Sequence, residues 1–323
     1  MTRSPGIDVA VVLVNFHSEA FTRRCIRSVV EQTRGVRHEI FVIDNHSNLD
    51  YESLKKEWPQ VRVLVSERNL GFGLANNVAS AYSSARYFFF LNNDCVLLND
   101  AASILFRWME LHPSAGLSGV QLVSPGGRPI VSFDYFPTLA TKFVGVAPLR
   151  ALGAGRFPRK DGSVRSATEV DVVTGAALFV RAETFRSLGG FDARLFLYCE
   201  EEDLAKRMWD AGHAVWFVPE AAIEHAGGGS SFNKTALRKE FYISFFLFYR
   251  KHYGAARTRA IQAFTIVQVI WRLLWRGERD LWKPLLGWLL RGMPESESLR
   301  YAAGNVDAPE VRDAASLVRE VVS

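Results

Sequence analysis

Tyr87-Phe-Phe-Phe-Leu-Asn-Asn-Asp94-Cys-Val96 decides how this chain is read. Five apolar residues, too few for a membrane span, stop abruptly at Asn92, Asn93 and Asp94. The pattern predicts a buried parallel strand that delivers a carboxylate to the carboxyl edge of a sheet, where open α/β folds bind ligands. A carboxylate there suits a hard divalent cation, and such a cation suits a diphosphate.

Working outward, Val9 to Val14 reads as a first strand, and Phe21 to Gln32 carries apolar residues at helical spacing. Glu39 to Asp44 is a second strand ending on a carboxylate. Tyr51 to Trp58 is a short helix stopped by Pro59, Val61 to Val65 a third strand, and Gly73 to Ala85 a small-residue helix. Ala101 to Leu111 continues as helix and Gly116 to Val123 as strand. This alternation predicts βαβ units and a mostly parallel, Rossmann-like α/β sheet flanked by helices. Pro125 to Lys160 turns to Gly, Pro and scattered aromatics, an irregular segment over the site. Glu169 to Arg181 reads as a strand pair around Thr174-Gly175-Ala176, Asp203 to Gly212 as helix, and Val215 to Val218 as a last short strand before Pro219.

The bulk numbers agree with a packed enzyme-sized chain. Of 323 residues, 48% are hydrophobic and 23% charged, so a sizeable core is expected and wholesale disorder is not. The three cysteines, Cys25, Cys95 and Cys199, lie far apart with no C-x-x-C pair. Neither a disulfide framework nor a zinc site is suggested, and a reducing, cytoplasmic setting is the default. The first residues show no signal-peptide hydrophobic stretch. Net charge is +5, with basic residues concentrated between Lys234 and Arg300 among Phe, Tyr, Trp and Leu. No nucleic-acid module accompanies them; an anionic membrane surface fits better. Phe241 to Tyr253, Ala260 to Trp275 and Leu281 to Leu290, the last interrupted by Lys283 and Pro284, read as interfacial helices too short to span a bilayer. Helices packed on their own domain or on a second subunit, a homodimer, are the alternative. Residues after Arg300 read as polar and mobile.

Four polar clusters fall where the sheet presents its carboxyl edge. They are Asn15-Phe16-His17, Asp44-Asn45-His46-Ser47, Asn69-Leu-Gly71-Phe-Gly73-Leu-Ala-Asn76-Asn77, and Asn92-Asn93-Asp94. The third is a glycine-rich turn opening a helix, suited to phosphate contacts from backbone N–H groups. Further on come Gly175-Ala-Ala-Leu178-Phe-Val-Arg181, then Gly189-Gly-Phe-Asp192-Ala-Arg-Leu-Phe196-Leu-Tyr198-Cys-Glu200-Glu201-Glu202-Asp203-Leu204, and Pro219 followed by His225. Each alone is ordinary turn or cap chemistry. In this order, from Val9 to Ser231, the set resembles the family 2 inverting glycosyltransferases of the GT-A fold, in their rhamnosyltransferase-like branch.

The resemblance implies roles. Phe16 would stack on a pyrimidine and Asp44 accept its imide N–H, while Asn15, Asn69, Gly71, Asn76, Asn92 and Asn93 would line the nucleotide sugar. Asp94, with His225, would hold Mg²⁺ or Mn²⁺ bridging two phosphates. Glu201, with Glu200 next in line, would be the base that takes the proton of the attacking hydroxyl. Gly175, Ala176, Phe191 and Asp192 would border the acceptor. Two departures stand out: the family's metal-binding acidic pair is reduced to a single carboxylate, and Glu201 replaces the usual Asp. A GT-A domain over 1–231 is expected, with a nucleotide part to about 124 and an acceptor part from 125, then a helical basic and aromatic region over 232–323. The expected reaction moves a sugar, rhamnose in the nearest branch, from a dTDP- or UDP-sugar. A glycan or polyprenyl-diphosphate-linked saccharide in cell-envelope polysaccharide synthesis would receive it, at the inner face of the plasma membrane. A sugar-nucleotide nucleotidyltransferase would carry a Gly-rich, Arg/Lys phosphate loop after strand one, which Asn15-Phe16-His17 does not supply. A non-catalytic sugar-nucleotide-binding protein is the remaining alternative, motivated by Asn92-Asn93.

Overall fold

The computed structural model describes residues 6–153, 157–227, 233–275, 279–302 and 314–321. Its first half alternates β1 (Val9–Asn15), α1 (Glu19–Gln32), β2 (His38–Asn45), α2 (Tyr51–Glu57), β3 (Val61–Ser66), α3 (Phe72–Ala81) and β4 (Tyr87–Asn92). There follow β5 (Cys95–Leu97), α4 (Ala101–Leu111) and β6 (Ala115–Val123). Strands β3, β2, β1 and β4 lie side by side and parallel, with Asn15 level with Asp44. Val9 to Leu13 and Phe88 to Phe90 are all fully buried. A strand covered by helices on both faces can be apolar at every position, which is why the run at 87–91 shows no alternation.

The segment read as irregular contains β7 (Phe133–Asp134), α5 (Leu139–Phe143) and α6 (Val146–Leu152). Beyond it lie β8 (Thr168–Glu169), β9 (Val172–Val173), β10 (Ala177–Arg181), α7 (Ala182–Ser187), α8 (Glu200–Asp210) and β11 (Ala214–His225). Strand β10 inserts antiparallel between β4 and β6, so the sheet as a whole is mixed. Strand β11 corrects the sequence reading, which ended it before Pro219. Its register against β6 shifts between Val218 and Ala222, after which it resumes and pairs antiparallel with β5, His225 opposite Cys95. Proline cannot donate to a ladder, but an irregularity accommodates it without ending the strand.

Helices α9 (Lys234–Trp275) and α10 (Arg279–Leu290) pack on one another, and Gly254 breaks α9 with a left-handed φ of 80°. Helix α10 runs through Pro284, which is exposed, so the carbonyl left without its amide partner can meet water. Their shared core, including Tyr249, Val269, Leu285 and Trp288, also contains Cys199 at the mouth of α8. After the short α11 (Leu299–Ala302), the chain end corrects a second expectation. Rather than trailing as a polar tail, residues 318–320 form β12 (Val318–Glu320), antiparallel to β3 at the sheet edge, where Arg62 pairs with Glu320. The apolar Val318 is buried there, and the main-chain bonds of an edge strand satisfy its polar backbone. Part of the Gly-Ser run after His225, and the 231/232 division with it, lies outside the described residues, as does 303–313.

Candidate active site

At the carboxyl ends of β1, β2 and β4 lies a cavity of about 440 Å³, lined among others by Phe16, Asn69, Gly71, Asn92, Asn93, Asp94 and His225. Seven residues singled out in the sequence, from separate segments of the chain, therefore share one wall. Sequence reasoning missed Val14, Ser18 and Leu237, which line it too, and assigned no individual role to Asn45, Phe72, Phe196, Leu197 and Tyr198, which lie within its quoted motifs. No local pattern marks Leu237, which belongs to α9 and arrives only through packing.

Asn15 and Asp44 sit behind that wall, 1% and 2% exposed. The Asn15 amide donates to Asp44 Oδ1 at 3.1 Å and to Ser47 Oγ at 2.8 Å, and Thr22 Oγ1 donates to Asn15 Oδ1 at 2.8 Å. Asn93 joins the same lattice through Thr22 Oγ1 at 2.9 Å. These buried amides tie the ends of β1, β2 and β4 together, and being satisfied they specify one arrangement. Asn45 plays the same part for the glycine-rich turn: its amide reaches Asn69 Oδ1 at 2.9 Å and the Gly71 carbonyl at 3.1 Å. Gly71 has φ +77°, and a Cβ there would stand 2.2 Å from the Phe196 carbonyl oxygen, so only glycine fits. Asn76 is buried within α3, its amide on the Phe72 carbonyl at 3.0 Å.

His225 Nε2 stands 3.2 Å from Asp94 Oδ1, and the backbone N–H of Ala226 donates to the Asp94 carbonyl. One carboxylate oxygen and one imidazole nitrogen converging at a cavity wall form a donor set that fits Mg²⁺ or Mn²⁺. Cys95 Sγ lies in the same cluster. It donates to the Ala176 carbonyl at 3.4 Å, and burial pushes its thiol well above the ordinary range, so it is a poor partner for a hard cation.

Glu201, at the start of α8, meets the loop before β10. The Gly175 N–H donates to Glu201 Oε1 at 3.4 Å, and one residue on the Ala176 carbonyl accepts the Asn92 N–H at 2.9 Å. The carboxylate thus touches the loop that pairs with the end of β4, two residues before Asp94. A Cβ on Gly175 would lie 3.1 Å from both Cδ and Oε1 of Glu201, so glycine permits the approach. Burial raises the Glu201 carboxyl; it raises Glu200 and Glu202 well above the ordinary range, the charge of Glu201 adding to the effect on both. Glu200 is 2% exposed, with Oε1 lacking a hydrogen-bond partner.

None of Gly175, Ala176, Phe191, Asp192, Glu200 and Glu201 is among the residues that line this cavity. The Phe191 ring is buried against Phe90 and Phe185, and its backbone exchanges two 2.8 Å bonds with the Asn77 amide. Asp192 is paired with Arg194 at 2.6 Å and Lys251 at 2.7 Å.

A mixed sheet with a cavity at its carboxyl edge, a carboxylate–imidazole pair in the wall and the half-buried Glu201 carboxylate on the neighbouring loop is the arrangement of a GT-A-type group-transfer enzyme. Residues 10–179 match the sequence profile of Glycosyl transferase family 2, more than half of the chain, and the protein belongs to that family: it is a glycosyltransferase. It is similar to the rhamnosyltransferase WbbL of Escherichia coli K12, 26% identical over 220 residues, which is 65% of this chain and 80% of that protein. It is also similar to the N-acetylglucosaminyl-diphospho-decaprenol L-rhamnosyltransferase of Mycobacterium tuberculosis, 29% identical over 196 residues, 53% of this chain and 60% of the relative. Among solved structures, GalNAc-T7 with UDP, GalNAc and Mn²⁺ superposes with a TM-score of 0.52 at 17% identity, over 69% of this chain and 44% of that one. The last similarity concerns the fold.

Proposed function

We propose that the enzyme transfers a 6-deoxyhexose, rhamnose, with inversion, from a dTDP- or UDP-linked donor to a lipid-linked saccharide. The observation that carries this reading is the place of Glu201, its carboxylate hydrogen-bonded beside the strand end that bears Asp94. The two rhamnosyltransferase relatives support the choice of sugar.

In this reading Phe16 stacks on the base, and Asn69, Gly71 and Asn92 contact the ribose and phosphates along the cavity wall. The Asn15–Asp44 pair, buried behind that wall, braces the strand ends that carry it. Asp94 and His225 hold the cation; when bound, Mg²⁺ or Mn²⁺ neutralises charge on the departing diphosphate. The acceptor hydroxyl oxygen bonds to the anomeric carbon as the bond to the diphosphate oxygen breaks, and Glu201 takes the hydroxyl proton. A raised carboxyl suits this task, because a stronger base near neutrality is a better proton acceptor. Residues 1–124 then serve mainly the nucleotide and 125–231 the acceptor.

The region over 232–323 places the enzyme at an anionic bilayer. In support, Val267, Ile270, Trp271, Leu274 and Trp275 are exposed at helical spacing along α9, with Arg257, Arg259 and Lys283 exposed on the same helical region. Among the described residues no helix is long and apolar enough to cross a membrane.

The decisive experiment offers a panel of nucleotide sugars, dTDP-rhamnose included, with Mn²⁺ and an N-acetylglucosaminyl-diphospho-polyprenol acceptor. Transfer of rhamnose in preference to hexoses is the expected result; transfer of a different sugar, or nucleotide binding without transfer, would reject it. Sedimentation with anionic liposomes at low salt, reversed as salt rises, is expected of the full chain, and indifference to liposomes would refute the membrane assignment.

A further inference from the structure

The entry to α8 is unusual. Tyr198 and Cys199 adopt left-handed φ values of 75° and 65°, a conformation that side-chain-bearing residues keep only where their surroundings impose it. Helix α9 supplies much of what surrounds them. Ser244 Oγ donates to the Leu197 carbonyl at 2.8 Å. Further along, Lys251 Nζ lies 2.7 Å from Asp192 Oδ2 and 2.6 Å from Asp203 Oδ1, and His252 Nε2 lies 2.8 Å from the same Asp203 oxygen. The other oxygen of Asp203 takes Arg207 Nε at 2.8 Å, one turn along α8.

One ammonium group therefore ties Asp192 and Asp203 together. The ten residues between them include Phe196, Leu197 and Tyr198 of the cavity wall and both Glu200 and Glu201. Asp203 is 0% exposed. Burial works against its charge, yet hydrogen bonds from His252 and Lys251 and the Arg207 charge hold its carboxyl below the ordinary range. Ion clusters built on a buried carboxylate with a partly exposed cation, as Asp203 with Lys251 here, are weak contributors to net stability, since desolvation offsets much of their attraction. In some proteins such clusters serve instead to fix one geometry, and transfer reactions are steeply sensitive to the placement of a base.

We propose that Lys251 and His252 are positioning residues for the transfer reaction, clamping both ends of the 192–203 segment so that the Glu201 carboxylate stays against Gly175. The inference rests on the reading of Glu201 as the base. It makes the C-terminal helical region part of the transferase unit rather than an appendage to it.

The test compares full-length Lys251→Met and His252→Leu with the conservative Lys251→Arg and His252→Gln. UDP or dTDP binding with Mn²⁺ is measured by calorimetry, and single-turnover sugar transfer is normalised to the nucleotide-binding sites so counted. Transfer per site is expected to fall between about ten- and a hundred-fold in Lys251→Met and His252→Leu. Nucleotide Kd should move by less than about two-fold, and Lys251→Arg and His252→Gln should recover most of the rate. An unchanged rate per site, with only melting temperature lowered, would make the cluster a stability element and overturn the proposal. Parallel loss of nucleotide affinity would also overturn it, by showing that the clamp serves the donor wall. If Lys251→Met does not fold, His252→Leu and His252→Gln decide between the same outcomes. A wild-type enzyme that transfers no sugar sinks the underlying reading; an active one indifferent to these changes sinks this inference alone.

Discussion

His225 Nε2 lies 3.2 Å from Asp94 Oδ1 because β11 resumes after Pro219 and pairs His225 with Cys95, the residue that follows Asp94. The pair is a product of sheet register, built from segments far apart in the chain. With one acidic residue where the family has two, imidazole would supply a larger share of the donors in the proposed cation site.

Removing either partner should therefore uncouple the enzyme from divalent ions. Asp94→Ala is expected to lower transfer by at least about a hundred-fold and His225→Ala by about ten- to a hundred-fold. Chelation should silence the wild type, and Mn²⁺ or Mg²⁺ should restore it. Titrating Mn²⁺ against transfer rate in the three proteins checks this; a His225→Ala enzyme with unchanged Mn²⁺ dependence would remove the histidine from the site.

Glu201→Gln keeps the size of the side chain and its bond to the Gly175 N–H while removing the proton acceptor. Transfer should drop about 10²- to 10⁴-fold with nucleotide affinity preserved. Because burial raises the Glu201 carboxyl, the acidic limb of the wild-type rate profile should lie above the ordinary glutamate value of about 4.3. A limb at or below that value would contradict the assignment.

Gly175→Ala is a finer probe. The added methyl would sit 3.1 Å from Cδ and Oε1 of Glu201, so the carboxylate must give by a few tenths of an ångström. Several-fold slower transfer is expected with little change in melting temperature, and single-turnover rates measured beside thermal unfolding separate the two.

Glu200 predicts a stability effect of definite sign. Burial first, then the charge of Glu201, raises its carboxyl well above the ordinary range. Between about pH 4.3, where the unfolded chain releases this proton, and the raised folded value, the native state holds one proton more than the unfolded state. This group's contribution is thus complete below the unfolded value and is lost as pH rises through the folded one. Glu200→Gln should raise the melting temperature near neutral pH, with the gain vanishing towards about pH 4. Equal melting temperatures for the two proteins near neutrality would count against a buried Glu200.

Much of the fold was legible because its signals are local. Strands such as Tyr87 to Leu91 announce themselves by continuous apolarity, and the βαβ rhythm follows from spacing. The four polar clusters were legible as a set, since a parallel sheet carries the ends of its strands to one edge by construction. What was not legible depended on partners far away in the chain. Nothing near Pro219 says that the strand continues beyond a bulge, and nothing in Asp192 distinguishes an acceptor contact from a partner for Lys251. The edge strand at Val318 to Glu320 is equally silent until β3 offers it a free side.

Composition, periodicity and the order of its polar clusters determined that this chain builds a helix-flanked sheet and gathers Phe16, Asn69 and Asp94 toward its carboxyl edge, because covalent spacing and hydrophobic burial act residue by residue. Tertiary structure decided which carboxylates face the cavity, which are locked in ion clusters, and that α9 holds the segment bearing Glu201. Those outcomes are set by packing between elements distant in sequence, where a side chain's environment, and with it its charge and its chemistry, comes from neighbours that the local sequence does not name.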